Sequence, residues 1–391
     1  MKRTRRVLQV AAVGASALGL LAGCGSGSTA TGNANLTPTA TAETVSTVET
    51  AAPAPEPDAC DALLASLNTR EKLAQMITVG VTGTDDATAI MSSEKIGGIF
   101  ISGGTANELL QGGVERVNAA SAIAPLVSID EEGGRVARIP NLIGRTPSAR
   151  EVAATMTVEQ ARQEALERAA KLRAMGVTVD FAPDVDVSAQ PDDAVIGDRS
   201  YSDDPAVVTE YATAFADGMR ESGVFPVIKH FPGHGSSSGD SHMGAATVPP
   251  LEQLQDKDLV PFRAMVGTGV GVMVGHLDVP GLTEPGVPAS VSPAAMQLLR
   301  DGVGYGAAPF TGVIFTDDLS GMAAITDRFT LPQAVVAALS AGADVALWGS
   351  TDRVSEVLDA LETAVASGQL PIEQVDASVA RILNLKSVAN C

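Results

Sequence analysis

Short apolar runs recur along the chain at 77–81, 96–101, 124–129, 177–182, 224–228, 270–274, 313–315 and 345–347. Nearly all are rich in β-branched residues and lack polar alternation, the pattern of strands covered on both faces. The stretches between them carry apolar residues at three- to four-residue spacing, which predicts helices. TVEQARQEALERAAKLRAMG, 157–176, is the clearest. Thr157 stands at its N-cap, Gln160 at the reciprocal capping-box position and Gly176 at its C-terminal stop. Further helices are predicted near 205–222, 251–266, 331–341, 352–366 and 372–386.

Buried strands alternating with helices predict an α/β fold, either a single (β/α)8 TIM barrel or a doubly wound parallel sheet. The polar residues favour the barrel. Asp130, Asp184, Lys229, His230, His276, Asp317 and Trp348 all follow an apolar run directly or nearly so. A barrel gathers such strand ends into one ring on its C-terminal face. Trp348 is expected to be core.

The beginning of the chain departs from this alternation. Lys2, Arg3, Arg5 and Arg6 precede an apolar run over 7–21, then Ala22, Gly23 and Cys24. The run is short for a membrane span and ends in small residues, so 1–23 reads as an export signal. Leu21-Ala22-Gly23-Cys24 resembles the bacterial lipobox, which implies a lipidated Cys24 and anchorage to the outer face of the cytoplasmic membrane; an ordinary signal with an incidental cysteine is the alternative. Residues 24–57 are Thr/Ala/Ser/Pro-rich with few large apolar groups and cannot offset their ordering entropy. They read as a flexible tether spanning roughly 30 Å. The folded domain is expected over 58–391.

Composition sharpens these readings. The 391 residues are 45% hydrophobic and 18% charged, enough apolar material for a large core. A net charge of −20 disfavours nucleic acid and anionic headgroups, so membrane contact is expected from lipid alone. With Cys24 committed, Cys60 and Cys391 remain at the two ends of the domain. In an exported chain they are predicted to form a disulfide, two buried thiols being the alternative.

The candidate chemistry begins with KHFPGHGSSSGDSH, 229–242, which holds three of the four histidines. His230 and His234 have helical ligand spacing, but Pro232, Gly233 and Gly235 exclude a helix, and neither a nearby cysteine nor an HExxH pattern accompanies them. No metal and no cofactor are expected. Neither this loop nor EEGGR, 131–135, carries a phosphate-loop pattern. In VIFTDDLSGM, 313–322, two carboxylates end a strand. Asp317 suits a nucleophile facing an electrophilic sugar carbon, and Asp318 suits a helix N-cap.

SIDEEGGRVAR (128–138), the DRS at 198–200, KHFPGHG…DSH and FTDDLSGM (315–322) together resemble glycoside hydrolase family 3, and within it the bacterial β-N-acetylglucosaminidases. The likeness spans roughly 60–388. It implies a barrel without the family's usual second domain. It also implies that Asp317 is the nucleophile, His242 the acid/base and Asp240 its paired carboxylate. Asp130, Arg138, Arg199, Lys229 and His230 match the positions that hold the sugar, and His234 belongs to a loop able to move over the site. Retaining hydrolysis needs a nucleophile on one side of the anomeric carbon and an acid at the glycosidic oxygen. A histidine that titrates near neutrality suits the second task, and a carboxylate two residues away can set its tautomer.

The implied activity is exo-acting removal of terminal β-N-acetylglucosamine from peptidoglycan-derived fragments, by a monomer whose partners are a small carbohydrate and its own lipid anchor. Two other readings remain. A neutral histidine does not repel phosphate, which allows a phosphorylase. A sugar-binding cell-wall lipoprotein without turnover is the second. Ser236-Ser237 stand where many members carry Asp-Thr, and Gly321 precedes Met322 where Ser-Met is frequent.

Overall fold

The computed structural model describes residues 59–388. The expected export signal, the lipidation site Cys24 and the tether lie outside the described residues. Eight parallel strands close into a barrel in chain order: β1 (Ile77–Val81), β2 (Gly98–Ile101), β3 (Leu126–Ile129), β4 (Val179–Asp180), β5 (Phe225–Phe231), β6 (Gly271–Val274), β7 (Ile314–Asp318) and β8 (Val345–Trp348). Pairs from Ile77 with Ala346 to Val79 with Trp348 join β8 to β1, so the sheet has no open edge. The barrel, not the doubly wound sheet, is the fold.

Each strand coincides with a predicted run, but several begin later. Ile96, Val177, Val224 and Val270 are buried under the barrel without joining the ladder. In contrast, β5 and β7 run on through Lys229-His230-Phe231 and Asp317-Asp318. The register of β5 against β6 slips between Ile228 and Phe231, and that of β7 against β8 slips between Val345 and Leu347. Such irregularities re-aim side chains at a barrel rim.

The helix Val158–Ala174 has the predicted capping box, with Gln160 N–H donating to Thr157 Oγ1 and Thr157 N–H donating to Gln160 Oε1. Gly176 takes the left-handed φ of 90° expected at its end. Its buried stripe of Ala161, Ala165 and Ala169 admits the helix Pro205–Glu221 closely. A Cβ on Gly218 would stand 2.5 Å from the Arg162 carbonyl. The single helix expected over 251–266 is instead two, Leu251–Leu254 and Leu259–Met265. The chain breaks between them, where Asp258 turns inward and is buried.

Trp348 is core, as expected. Phe181 packs between Phe100 and Phe315, at centroid distances of 5.7 and 5.4 Å, and forms an apolar floor below the mouth. Cys60 is buried and disulfide-bonded; Cys391, the partner expected from the sequence, lies outside the described residues. Among the described residues, no helix is long and apolar enough to cross a membrane.

Candidate active site

Asp130 and Glu132 leave β3 and meet cations from two other segments. Arg138 Nη2 and Lys229 Nζ each donate to one oxygen of Asp130. Lys229 Nζ also lies 2.6 Å from Glu132 Oε1, and Arg199 grips Glu132 with two hydrogen bonds of 2.8 and 2.7 Å. The sequence assigned Asp130, Arg138, Arg199 and Lys229 to sugar hydroxyls. The structure spends much of their hydrogen-bonding capacity on one another, while all four still line the cavity. Burial opposes the charge on Glu132, but Arg199 and Lys229 outweigh it and hold the carboxyl well below the usual range. Burial likewise disfavours the Lys229 ammonium, and Asp130 with Glu132 raises its pKa regardless.

His230 is fixed from below. Its Nδ1 makes a 2.7 Å hydrogen bond with Asp186 Oδ2, and its Nε2 lies 3.3 Å from Arg199 Nη2. Asp184 is pushed well above the ordinary aspartate value by burial and by its neighbour Asp186. Asp186 is as deeply buried, yet the His230 contact takes it down to about 2. Asp184, Asp186 and His230 bring one ligand atom each within 4.8 Å of one another. Arg199 Nη2 already stands 3.4 Å from Asp184 Oδ2 and supplies the positive charge there, so this donor set does not suit a cation.

Asp317 is buried near the end of β7. Its Oδ1 accepts the Asp318 N–H at 2.9 Å, and its other oxygen takes no protein donor among the described residues. Burial works against its charge. His230, the Asp318 N–H and Lys229 outweigh that and hold the carboxyl below its ordinary value, so it is an anion at neutral pH. Asp318 does not cap a helix as the sequence suggested. It ends the strand, and its Oδ1 accepts from both the N–H and the Oγ of Ser320, closing a tight turn instead.

His242 and Asp240 stand on the loop after β5. The Asp240 Oδ1 accepts from the His242 N–H and faces His242 Nδ1, both at 2.9 Å. A carboxylate only accepts, so Nδ1 carries the hydrogen and Nε2 is left for substrate. Partial burial raises Asp240, but the two bonds from His242 hold it below its ordinary value. The His242 side chain is 52% exposed. His234, on the loop expected to move over the site, is packed against its neighbours. It is buried, with Nδ1 2.9 Å from Ser237 Oγ and Nε2 3.3 Å from Ser241 Oγ, and its N–H is donated to Asp186.

All eight proposed catalytic and sugar-holding residues line one cavity of about 440 Å³ at the C-terminal mouth of the barrel. Phe181, Met273 and Leu347 line its apolar part, and Arg135, Val195 and Met322 also border it. Sequence reasoning missed Glu132, Asp186 and Arg135. Arg135 is fastened by Asp198 at 2.6 Å and by the Ile196 carbonyl at 3.0 Å. The available signal was position: Glu132 and Asp186 each lie a few residues beyond a buried strand.

Comparison with known proteins agrees with this geometry. Residues 68–385 match the profile described as "Glycosyl hydrolase family 3 N terminal domain". The chain is 54% identical over 334 residues to "Beta-hexosaminidase LpqI" of Mycobacterium tuberculosis (strain ATCC 25618 / H37Rv), covering 85% of each chain. It superposes on a glycosyl hydrolase of this family from Mycobacterium smegmatis with a TM-score of 0.81 at 53% identity, covering 82% of this chain and 98% of that one. A β-N-acetylglucosaminidase from Paenibacillus sp. str. FPU-7 gives a TM-score of 0.76 at 34% identity, with 82% of this chain and 62% of that one covered. The chain belongs to glycoside hydrolase family 3.

Proposed function

We propose that the protein is an exo-acting, retaining β-N-acetylglucosaminidase that removes terminal β-N-acetylglucosamine from peptidoglycan-derived fragments. One observation carries the reading: Asp317 and the His242–Asp240 pair open into the same floored cavity as the five sugar-holding residues. A cavity of about 440 Å³ closed below by Phe181 suits a terminal sugar. The relatives named for β-hexosaminidase and β-N-acetylglucosaminidase activity support the 2-acetamido substrate.

Asp317, ionised and with one oxygen unengaged, attacks the anomeric carbon while His242 Nε2–H protonates the departing glycosidic oxygen. The C–O bond breaks as the glycosyl–Asp317 ester forms. His242, now neutral at Nε2, takes a proton from water, and that water displaces Asp317 from the sugar. Asp240 keeps Nδ1–H in place and stabilises the imidazolium in both steps. Half-exposed His242 is accessible to a departing alcohol and to incoming water. Lipidation at Cys24 and a position on the outer face of the cytoplasmic membrane complete the proposal, with the barrel acting as a monomer on a leash.

The test pairs an aryl β-N-acetylglucosaminide with an aryl β-glucoside, with and without inorganic phosphate. Release of free N-acetylglucosamine independent of phosphate, lost in Asp317→Asn, is expected. Phosphate-dependent release of a sugar 1-phosphate would make it a phosphorylase, and activity surviving in Asp317→Asn would remove the nucleophile assignment.

A further inference from the structure

His276 is a buried histidine that the mechanism above does not use. It follows β6 by two residues and is 1% exposed, against the end of β7. Its Nε2 lies 2.9 Å from the Asp318 carbonyl oxygen and its Nδ1 lies 2.6 Å from Ser290 Oγ. A carbonyl only accepts, so Nε2 carries a hydrogen. Burial pushes the imidazole pKa down, which keeps the ring neutral. Nδ1 is then an acceptor, and the buried Ser290 hydroxyl donates to it. The tautomer is fixed by partners on both sides.

What this imidazole holds matters because the sheet does not hold it. The last β6–β7 pair is Val274 with Thr316, and the β7–β8 register slips at Leu347 with Asp318. The Asp318 carbonyl therefore lies past the regular ladder, and His276 takes the place a strand amide would have. The same residue's N–H is the donor on Asp317 Oδ1, and the Leu319 N–H is tied to the Leu347 carbonyl at 2.9 Å. Residue 318 is thus clamped at both of its peptide units.

We propose that His276 is a positioning residue for Asp317: by holding the Asp318 carbonyl through Nε2–H it keeps the Asp318 N–H on Asp317 Oδ1, so that the other carboxylate oxygen faces the anomeric carbon. The inference rests on Asp317 being the nucleophile. Its consequence is a rate effect rather than an affinity effect, because His276 lines no part of the sugar cavity. Misplacing a reacting atom by about 1 Å costs about 100-fold in rate.

The test compares His276→Ala, His276→Asn and His276→Gln on an aryl β-N-acetylglucosaminide, with folding followed by thermal melting. A glutamine side-chain amide places a donor where Nε2 stands, and an asparagine amide places one nearer Nδ1. His276→Ala and His276→Asn are expected to lose about 100-fold in kcat with KM within threefold. His276→Gln is expected to recover at least tenfold of that loss. If His276→Ala fails to fold, the Gln-against-Asn contrast still decides. Equal kcat in those two variants, or a loss confined to KM, overturns the inference. Asp317→Asn run beside them separates the two ideas. An active Asp317→Asn removes the nucleophile reading, whereas an inactive one beside wild-type kcat in folded His276→Ala removes only this inference.

Discussion

Buried carboxylates within a few residues of one another carry different protonation states here, and neighbours decide each one. Asp186 faces His230 and is held at about 2; Asp180 accepts one hydrogen bond from the Glu131 N–H, faces the charges of Glu131 and Asp130, and burial pushes it to about 8. The sign of the linkage follows. An unfolded aspartate titrates at about 3.9, so between about pH 4 and 8 the folded chain keeps a proton that the unfolded chain has released. Stability contributed by Asp180 is greatest below pH 4 and falls as pH rises to 8. Asp180→Asn keeps the oxygen that accepts from Glu131 and cannot ionise. It is expected to flatten the decline of the melting temperature between pH 5 and 8, and an unchanged slope would contradict the assignment. His242 invites a different measurement. General acid catalysis matters most when the leaving group is poor, and it contributes about 10²–10⁴-fold. His242→Ala is expected to lose that much on an unactivated disaccharide and far less on a nitrophenyl glycoside. Equal losses on both would argue against the acid role.

At the scale of elements, the decisive piece is the loop from Pro232 to His242. It is pinned along its length: Asp186 accepts the His234 N–H, Asp258 accepts from Ser236 Oγ at 3.2 Å, and the Ser238 N–H donates to the Thr247 carbonyl at 2.8 Å. Gly235 has no room for a side chain, since a Cβ there would stand 2.4 Å from the Val187 carbonyl oxygen. Backbone cannot yield as a flexible side chain does. Gly235→Ala is therefore expected to displace the loop and lower kcat at least tenfold on a poor leaving group, with a folded barrel by circular dichroism. A wild-type kcat would show that the loop's position is not set there. This loop also marks where sequence reading stopped. The eight strands were legible because strands covered on both faces write continuous apolar runs. The Val158–Ala174 helix was legible because its capping box is local. The split at 255–258 was not, because it follows from burying Asp258 against Gly233, a tertiary contact. Asp317, His242 and Asp130 were found from motifs, whereas Glu132 was hidden by its twin Glu131. Adjacent acids look alike until the fold turns one toward Arg199 and the other toward the Arg138 and Ile139 amides. Asp186 was missed for a related reason, since its partner His230 lies 44 residues away.

Across the whole molecule, chemistry and stability sit at opposite ends of the barrel. The mouth concentrates charges whose pairing leaves room for substrate, whereas the N-terminal end carries a buried carboxylate with both oxygens engaged. Asp344, just before β8, is completely buried. Its Oδ2 accepts from Arg300 and from the Ile314 N–H, and its Oδ1 accepts from Ser378 Oγ at 2.8 Å and Arg381 Nη1 at 2.9 Å. One carboxylate thereby joins the starts of β7 and β8 to the helices Pro293–Asp301 and Ile372–Leu385. Removing one partner of such a buried set leaves uncompensated charge and costs about 3–5 kcal/mol. Asp344→Ala is expected to lower the melting temperature by several degrees or more. In a barrel the C-terminal mouth carries the chemistry and the opposite end serves stability. The folded fraction of Asp344→Ala should therefore keep the wild-type kcat and KM, measured well below its melting temperature. Full stability would show that the cluster is redundant. A folded variant with reduced kcat would show that strain at the base reaches Asp317 along β7, and that the two ends of the barrel are mechanically coupled.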